Sequence, residues 1–190
     1  MRAMQVTELG QPLSLQDIPK PDAAPGQVVV KVHTCGLNFG DLLIIKGTYQ
    51  ERPQVPFTLG MELCGTVTEV GEGVTSLQTG QRVAAYCGFD ALADYAAIPA
   101  DVCVLVPDKM TDEHAAAFLI AYGTSHVALD YKAHLKPGER LLVLGASGGV
   151  GLTAVELGKL MGAEVVAVAR GEEKLQVAKA AGADHLINSD

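Results

Sequence analysis

The chain has no Cys-x-x-Cys pair, no stretch that concentrates Lys and Arg, and no apolar run approaching the ~20 residues needed to span a bilayer. Its four cysteines, Cys35, Cys64, Cys87 and Cys103, are spaced too widely for a metal knuckle, a redox dithiol or a compact disulfide framework. They read as reduced, mostly buried thiols. The five histidines do not cluster with them. His33-Thr34-Cys35 on a strand would turn two ligand types to one face, but a third ligand is missing, so no metal is expected. Fourteen basic residues stand scattered against 22 acidic ones, and the net charge of −8 argues against a nucleic-acid partner, because phosphate binding needs clustered cations. The opening MRAMQVTELGQPL lacks the long hydrophobic region of a signal peptide, and a cytoplasmic location is expected. Internal repeats and low-complexity tracts are also absent.

What is present is an ordinary globular composition, 48% apolar and 19% charged over 190 residues. That length suffices for one large domain, or for one domain and part of another. The first part is rich in short strands punctuated by Gly and Pro. Residues 27–35, QVVVKVHTC, alternate at Val28, Val30 and Val32, and residues 63–70 do the same after Gly60. Residues 38–46 read as a short helix ended by Gly47, after which Pro53 and Pro56 keep the chain extended. Further strands are expected at 82–86, 90–98 and 101–105, giving a partly closed antiparallel barrel. Thr111, followed by Asp112 and Glu113, has the pattern of a helix N-cap with acids in the first turn. Helical segments then run through 115–131 to a Lys136-Pro137-Gly138 turn. The domain boundary is placed within them, dividing the chain into 1–125 and 126–190.

Residues 140–151, RLLVLGASGGVG, carry the most information. A strand expected to be buried, Leu141 to Leu144, breaks into close-set glycines: Gly148 would admit a pyrophosphate to the backbone, and Gly151 would let the next helix pack closely on the sheet. Unpaired N–H groups and a dipole equivalent to roughly +0.5 charge at the helix start would attract the anion. A helix over 152–161, a strand over 164–169, a helix over 172–181 and a strand at 185–188 complete a βαβαβ order, which implies a doubly wound parallel sheet. The first glycine of the usual G-x-G-x-x-G pattern is replaced by Ala146, preceded by Gly145. The competing reading is a glycine-rich turn that merely joins strand to helix. The second strand ends at Ala169-Arg170-Gly171 with no acid for the ribose hydroxyls of NAD, whereas Arg170 and Lys174 suit a 2′-phosphate. NADPH is therefore the expected cofactor, against the alternative that both cations are solvated surface charges offset by Glu172 and Glu173.

The ordered set CGLNFGDLLIIKGTY, PFTLGMELCGTVTEVGEGV, GQRV and GASGGVG resembles the medium-chain dehydrogenase/reductase superfamily over the whole chain, and within it the zinc-free quinone oxidoreductase branch. The resemblance implies a GroES-like barrel followed by a Rossmann domain. Asn38 and Met61 stand where zinc alcohol dehydrogenases carry a cysteine and a histidine, and the four-cysteine structural lobe is absent, so zinc is not expected. It further implies hydride delivery to a quinone, with an enoyl or enone reductase as the alternative. Asn38 and Tyr49 match the residues bordering the acceptor site: Asn38 would hydrogen-bond cofactor or acceptor, and Tyr49 would orient the acceptor oxygen or give it a proton. Ala146, Ser147, Gly148, Gly149, Val150 and Gly151, with Arg170 and Lys174, would hold the cofactor. Asn38 could instead simply cap the short helix, and Tyr49 could be loop packing. Asp41 and Glu62 match family positions as structural hydrogen-bonding groups.

The sequence stops as the third Rossmann strand finishes, so only the adenosine-binding half of that domain is expected, with a bare edge on its first strand. The 190 residues alone are then expected to bind adenine nucleotide weakly and transfer little hydride, which leaves a nucleotide-binding protein without turnover as a further alternative. A homodimer is possible in family terms.

Overall fold

The computed structural model describes residues 1–190. Its contacts fall into two compact units, Met1–Leu119 and Ile120–Asp190. The division lies slightly before the expected 125/126 because the helix after it is tied forward. Ser125 Oγ bonds Val150 O at 2.8 Å, and Thr153 Oγ1 bonds Ala121 O at 3.0 Å. No helix is long and apolar enough to cross a membrane.

In the first unit, β1 (Arg2–Val6), β2 (Ser14–Asp17) and β4 (Phe57–Thr58) form a small antiparallel sheet in the order β2-β1-β4. A larger antiparallel sheet takes β3 (Gln27–Gly36), β5 (Glu62–Val70), β6 (Arg82–Tyr86), β7 (Tyr95–Pro99) and β8 (Cys103–Leu105) in the order β7-β3-β5-β6-β8. Val28, Val30, Leu63, Val67, Val83 and Ile98 make its inner face and are almost wholly buried. Two register shifts between β3 and β5 bend the pair. Strands β7 and β8 remain at the edges, so this sheet does not close into a barrel. The strand expected from residue 90 begins only at Tyr95, since Asp90 adopts a left-handed φ of 71° and the amides of Asp90 and Leu92 turn to Thr58 and Leu59. Helix α1 (Phe39–Ile45) follows β3 in the chain, as the sequence indicates.

Helix α2 (Asp112–Ala116) starts at Thr111, whose side chain accepts from the His114 amide at 3.3 Å. Asp112 then pins the helix to the sheet. His33 Nδ1 meets its Oδ2 at 2.8 Å, Arg82 Nη1 donates to Oδ1 at 3.1 Å, and Arg82 Nη2 donates to the Pro107 and Met110 carbonyls, each at 2.7 Å. The His33 hydrogen bond, ahead of those from Cys64 and Arg82, holds the Asp112 carboxyl below the usual range.

The second unit opens with α3 (Phe118–His126, whose first two residues belong to the preceding unit), then a π-helical turn at Val127–Lys132. Strands β9 (Arg140–Leu144), β10 (Glu164–Ala169) and β11 (His185–Asn188) pair in parallel in the order β11-β10-β9, connected by α4 (Gly149–Leu160) and α5 (Glu172–Ala180). Val143, Val165 and Ala167 pack with Val155 of α4 and Ala178 of α5, so both helices cover one face. The expectation that Leu141 to Leu144 are all buried is corrected here. Leu142 is 56% and Leu144 72% exposed, because β9 is an edge strand whose other face carries no helix.

Asp112→Asn should cost about 1–3 kcal/mol near neutral pH, as charge-assisted bonds to His33 and Arg82 are weakened. A depressed carboxyl stabilises the fold above its unfolded pKa, and that contribution is lost as pH falls through the lower folded value. Urea midpoints of wild type and variant should therefore converge as pH drops below ~4. A difference unchanged across that range would rule out the carboxylate as the pin.

Candidate coenzyme and acceptor sites

The glycine loop lies where β9 passes into α4. The first i→i−4 bond of the helix runs from Leu152 N to Gly148 O at 2.7 Å, leaving the amides of Gly149, Val150 and Gly151 ahead of the ladder. Gly148, the N-cap, has no side chain to satisfy them. Ala146 is wholly buried and its amide donates to Val168 O at 3.0 Å, while Gly148 N donates to Gly145 O at 3.0 Å. These two residues therefore shape the turn with their amides instead of offering them outward, and an anion is left to Ser147 and the first turn of α4.

Glycine at position 151 is required by the loop itself. A Cβ there would stand 2.2 Å from Gly145 O and 3.0 Å from Ala146 Cα. A second close approach of α4 to the sheet occurs at Gly158, where a Cβ would lie 2.6 Å from Leu141 Cδ2 and 3.1 Å from Val165 Cγ2.

Beside the loop is an open cleft of about 520 Å³ lined by Leu144, Gly145, Ser147, Gly148, Val168, Ala169, Arg170, Lys174 and Ser189. It brings Ser147, Gly148, Arg170 and Lys174 together at the C-terminal ends of parallel strands, the end where such sheets bind ligands. Arg170 is 79% exposed and paired at 3.7 Å with Asp190. Asn188 Oδ1 accepts from Gly171 N at 3.0 Å and so steadies the turn that carries Arg170. Leu144, Val168 and Ser189 were not singled out from the sequence; their signal is position, each lying at or just beyond a strand end.

In the first unit, Asn38 is the N-cap of α1 with extended backbone, φ −119° and ψ 157°. Its amide donates to Asp41 Oδ2 at 2.7 Å, and its Nδ2 donates to Glu62 Oε1 at 2.9 Å. Asn38 is half-buried, whereas Asp41 and Glu62 are 3% and 2% exposed. Burial pushes the Asp41 carboxyl above its usual range, and Asp41 Oδ1 has no partner. Tyr49 is half-buried in the segment after α1, its ring near Gly40, as is the Met61 sulfur: a Cβ at Gly40 would lie 3.6 Å from Tyr49 Cε2 and 3.0 Å from Met61 Sδ. Asn38, Tyr49, Glu62 and Met61 thus surround the start of α1.

All four cysteines are free. Burial first, then neighbouring carboxylates, pushes the thiols of Cys35 and Cys64 up to about 12; burial likewise takes Cys87 to about 12 and Cys103 to about 11. No cluster of three or more His, Cys, Asp or Glu side chains is arranged to hold a metal ion.

Residues 24–108 match the alcohol dehydrogenase GroES-like domain, and residues 149–190 match the zinc-binding dehydrogenase domain. Quinone oxidoreductase-like protein 2 of Mus musculus is 37% identical over 98% of this chain and 54% of its own length. Among solved structures, the quinone oxidoreductase of Thermus thermophilus, described also in complex with NADPH, superposes with a TM-score of 0.88 at 38% identity over 98% of this chain and 59% of that one. The Escherichia coli quinone oxidoreductase complexed with NADPH gives 0.94 at 31% identity, over 99% and 58%. The chain belongs to the medium-chain dehydrogenase/reductase superfamily. Within it, the chain falls in the quinone oxidoreductase branch and spans little more than half the length of the mouse relative.

For this superfamily member, Gly151→Ala offers a direct test of the loop. Because the added Cβ would meet backbone atoms, which cannot swing aside as a side chain can, the turn must deform, at a cost of about 1–3 kcal/mol. Calorimetry should show NADPH binding weakened by at least about tenfold, a loss of ~1.4 kcal/mol. Unchanged affinity would mean that this turn does not hold the nucleotide.

Proposed function

We propose that the chain supplies the acceptor-side unit and the coenzyme loop of a zinc-independent, NADPH-dependent oxidoreductase that delivers hydride to a quinone. The observation that carries this reading is the cleft at the end of β9, where the Ser147-Gly148 turn and two cations meet over an apolar floor of Leu144, Val168 and Ala169, with the uncapped first turn of α4 following directly in the chain. That donor set fits a phosphorylated dinucleotide. Ser147 and the first amides of α4 would hold the diphosphate, Arg170 and Lys174 the 2′-phosphate, and the apolar floor the adenosine. The bound coenzyme supplies the hydride.

The first unit is read as the acceptor side. Asn38 would hydrogen-bond coenzyme or acceptor, and the Tyr49 hydroxyl would orient the acceptor oxygen or hand it a proton as negative charge develops there. Met61 and Asn38 supply a thioether and a carboxamide in place of imidazole and thiolate, which supports chemistry on an acceptor that is electrophilic without a Lewis acid. Four free, protonated thiols accord with a reducing compartment, and we place the protein in the cytoplasm.

The test follows loss of NADPH absorbance in the full-length protein with a panel of quinones and enones. Quinone-dependent oxidation is expected. Faster turnover of enones would move the assignment to an enone reductase, and nucleotide binding without oxidation of any acceptor would overturn the enzymatic reading. Replacing Arg170 and Lys174 together with Ala should weaken NADPH about tenfold or more, since charged hydrogen bonds contribute about 1.5–3 kcal/mol, while leaving NADH affinity nearly unchanged. Equal effects on the two coenzymes would remove both residues from 2′-phosphate recognition.

A further inference from the structure

Glu62 is among the most deeply buried side chains of the chain, yet it stands against the half-buried Asn38 at the start of α1. Its Oε1 accepts from Asn38 Nδ2 at 2.9 Å. With Nδ2 as the donor, the nitrogen edge of the carboxamide faces Glu62. The carboxylate itself is confined. Gly36 opposite has no side chain, and a Cβ there would lie 2.6 Å from Glu62 Oε1 and 2.8 Å from its Cγ. The register sets the same pair face to face, Gly36 of β3 opposite Glu62 of β5. On the backbone side, Asp41 Oδ2 holds the Asn38 amide at 2.7 Å. Asn38 is thus gripped at both its main chain and its carboxamide by two buried carboxyl groups from different elements.

We propose that Glu62 is a positioning residue for the acceptor site, fixing which edge of the Asn38 carboxamide is presented to the reacting partners. This rests on the reading of Asn38 given above. Catalysis depends on polar groups held in place before charge develops, so loss of Glu62 should reduce turnover more than it reduces binding. Glu62 acts through Asn38, and the two substitutions must not add.

The experiment is a double-substitution cycle in the full-length protein, using NADPH and the quinone that turns over fastest. Glu62→Leu should lower kcat about tenfold or more with the KM for NADPH within about twofold, and Glu62→Gln, which retains an accepting oxygen, should recover part of the loss. In an Asn38→Ala background, Glu62→Leu should cause no further loss. Losses that multiply, or a folded Glu62→Leu with wild-type kcat, would overturn the proposal. If Glu62→Leu does not fold, Glu62→Gln and Glu62→Ala carry the same cycle. The Asn38 side-chain amide resonances in a nitrogen-15 spectrum give a readout independent of turnover. Slow exchange and a downfield Nδ2 proton are expected in wild type, with both lost in Glu62→Leu. An Asn38 amide already free in wild type ends the positioning role, whereas absence of NADPH oxidation in wild type, with the resonance still protected, ends only the quinone reductase assignment.

Discussion

The turn from β9 into α4 depends on one close approach, that of the Gly145 carbonyl to the Cα of residue 151. Because nothing larger than hydrogen fits there, the first turn of α4 can lie directly over the end of the strand. Ala146 and Gly148 use their amides inside the turn, on Val168 and Gly145, which makes the turn stiff. What remains is a short row of donors without acceptors at the positive end of a helix, which an anion would satisfy. The cations follow from topology. Parallel pairing brings the end of β10 beside the end of β9, so Arg170 and Lys174 reach the same cleft from the next connection.

Much of this could be read from residue order alone. The βαβαβ alternation, the glycine cluster and the Thr111 cap are local patterns, and the strands and helices from β9 to β11 formed close to where periodicity put them. Three things could not be read. Burial of Leu142 and Leu144 depends on what covers the second face of the sheet, a property of packing rather than of β9 itself. Gly158 sits mid-helix with no turn or motif around it, and only the position of Leu141 across the interface shows why it is small. The late start of β7 reflects hydrogen bonds from Asp90 and Leu92 to the segment around Thr58, more than thirty residues earlier in the chain.

At the acceptor site the two readings of Asn38 prove compatible. It is the N-cap of α1 by its backbone, and its side chain reaches Glu62 on β5. A helix start is a suitable place for such a residue, since Asp41 holds its backbone amide while its side chain reaches across to Glu62. Asp41, expected as a structural group, closes the arrangement from one turn into the helix. The cost is a buried carboxyl oxygen, Asp41 Oδ1, without a hydrogen-bond partner.

The thiols complete the chemical picture. Quinones and enones are themselves alkylating agents, and the nucleophile they consume in proteins is the thiolate. With pKa values of about 12 for Cys35, Cys64 and Cys87, roughly one thiol in 10⁵ is ionised near neutral pH. Apolar enclosure, acquired in building the sheet, therefore also holds these three thiols back from adduct formation with such electrophiles.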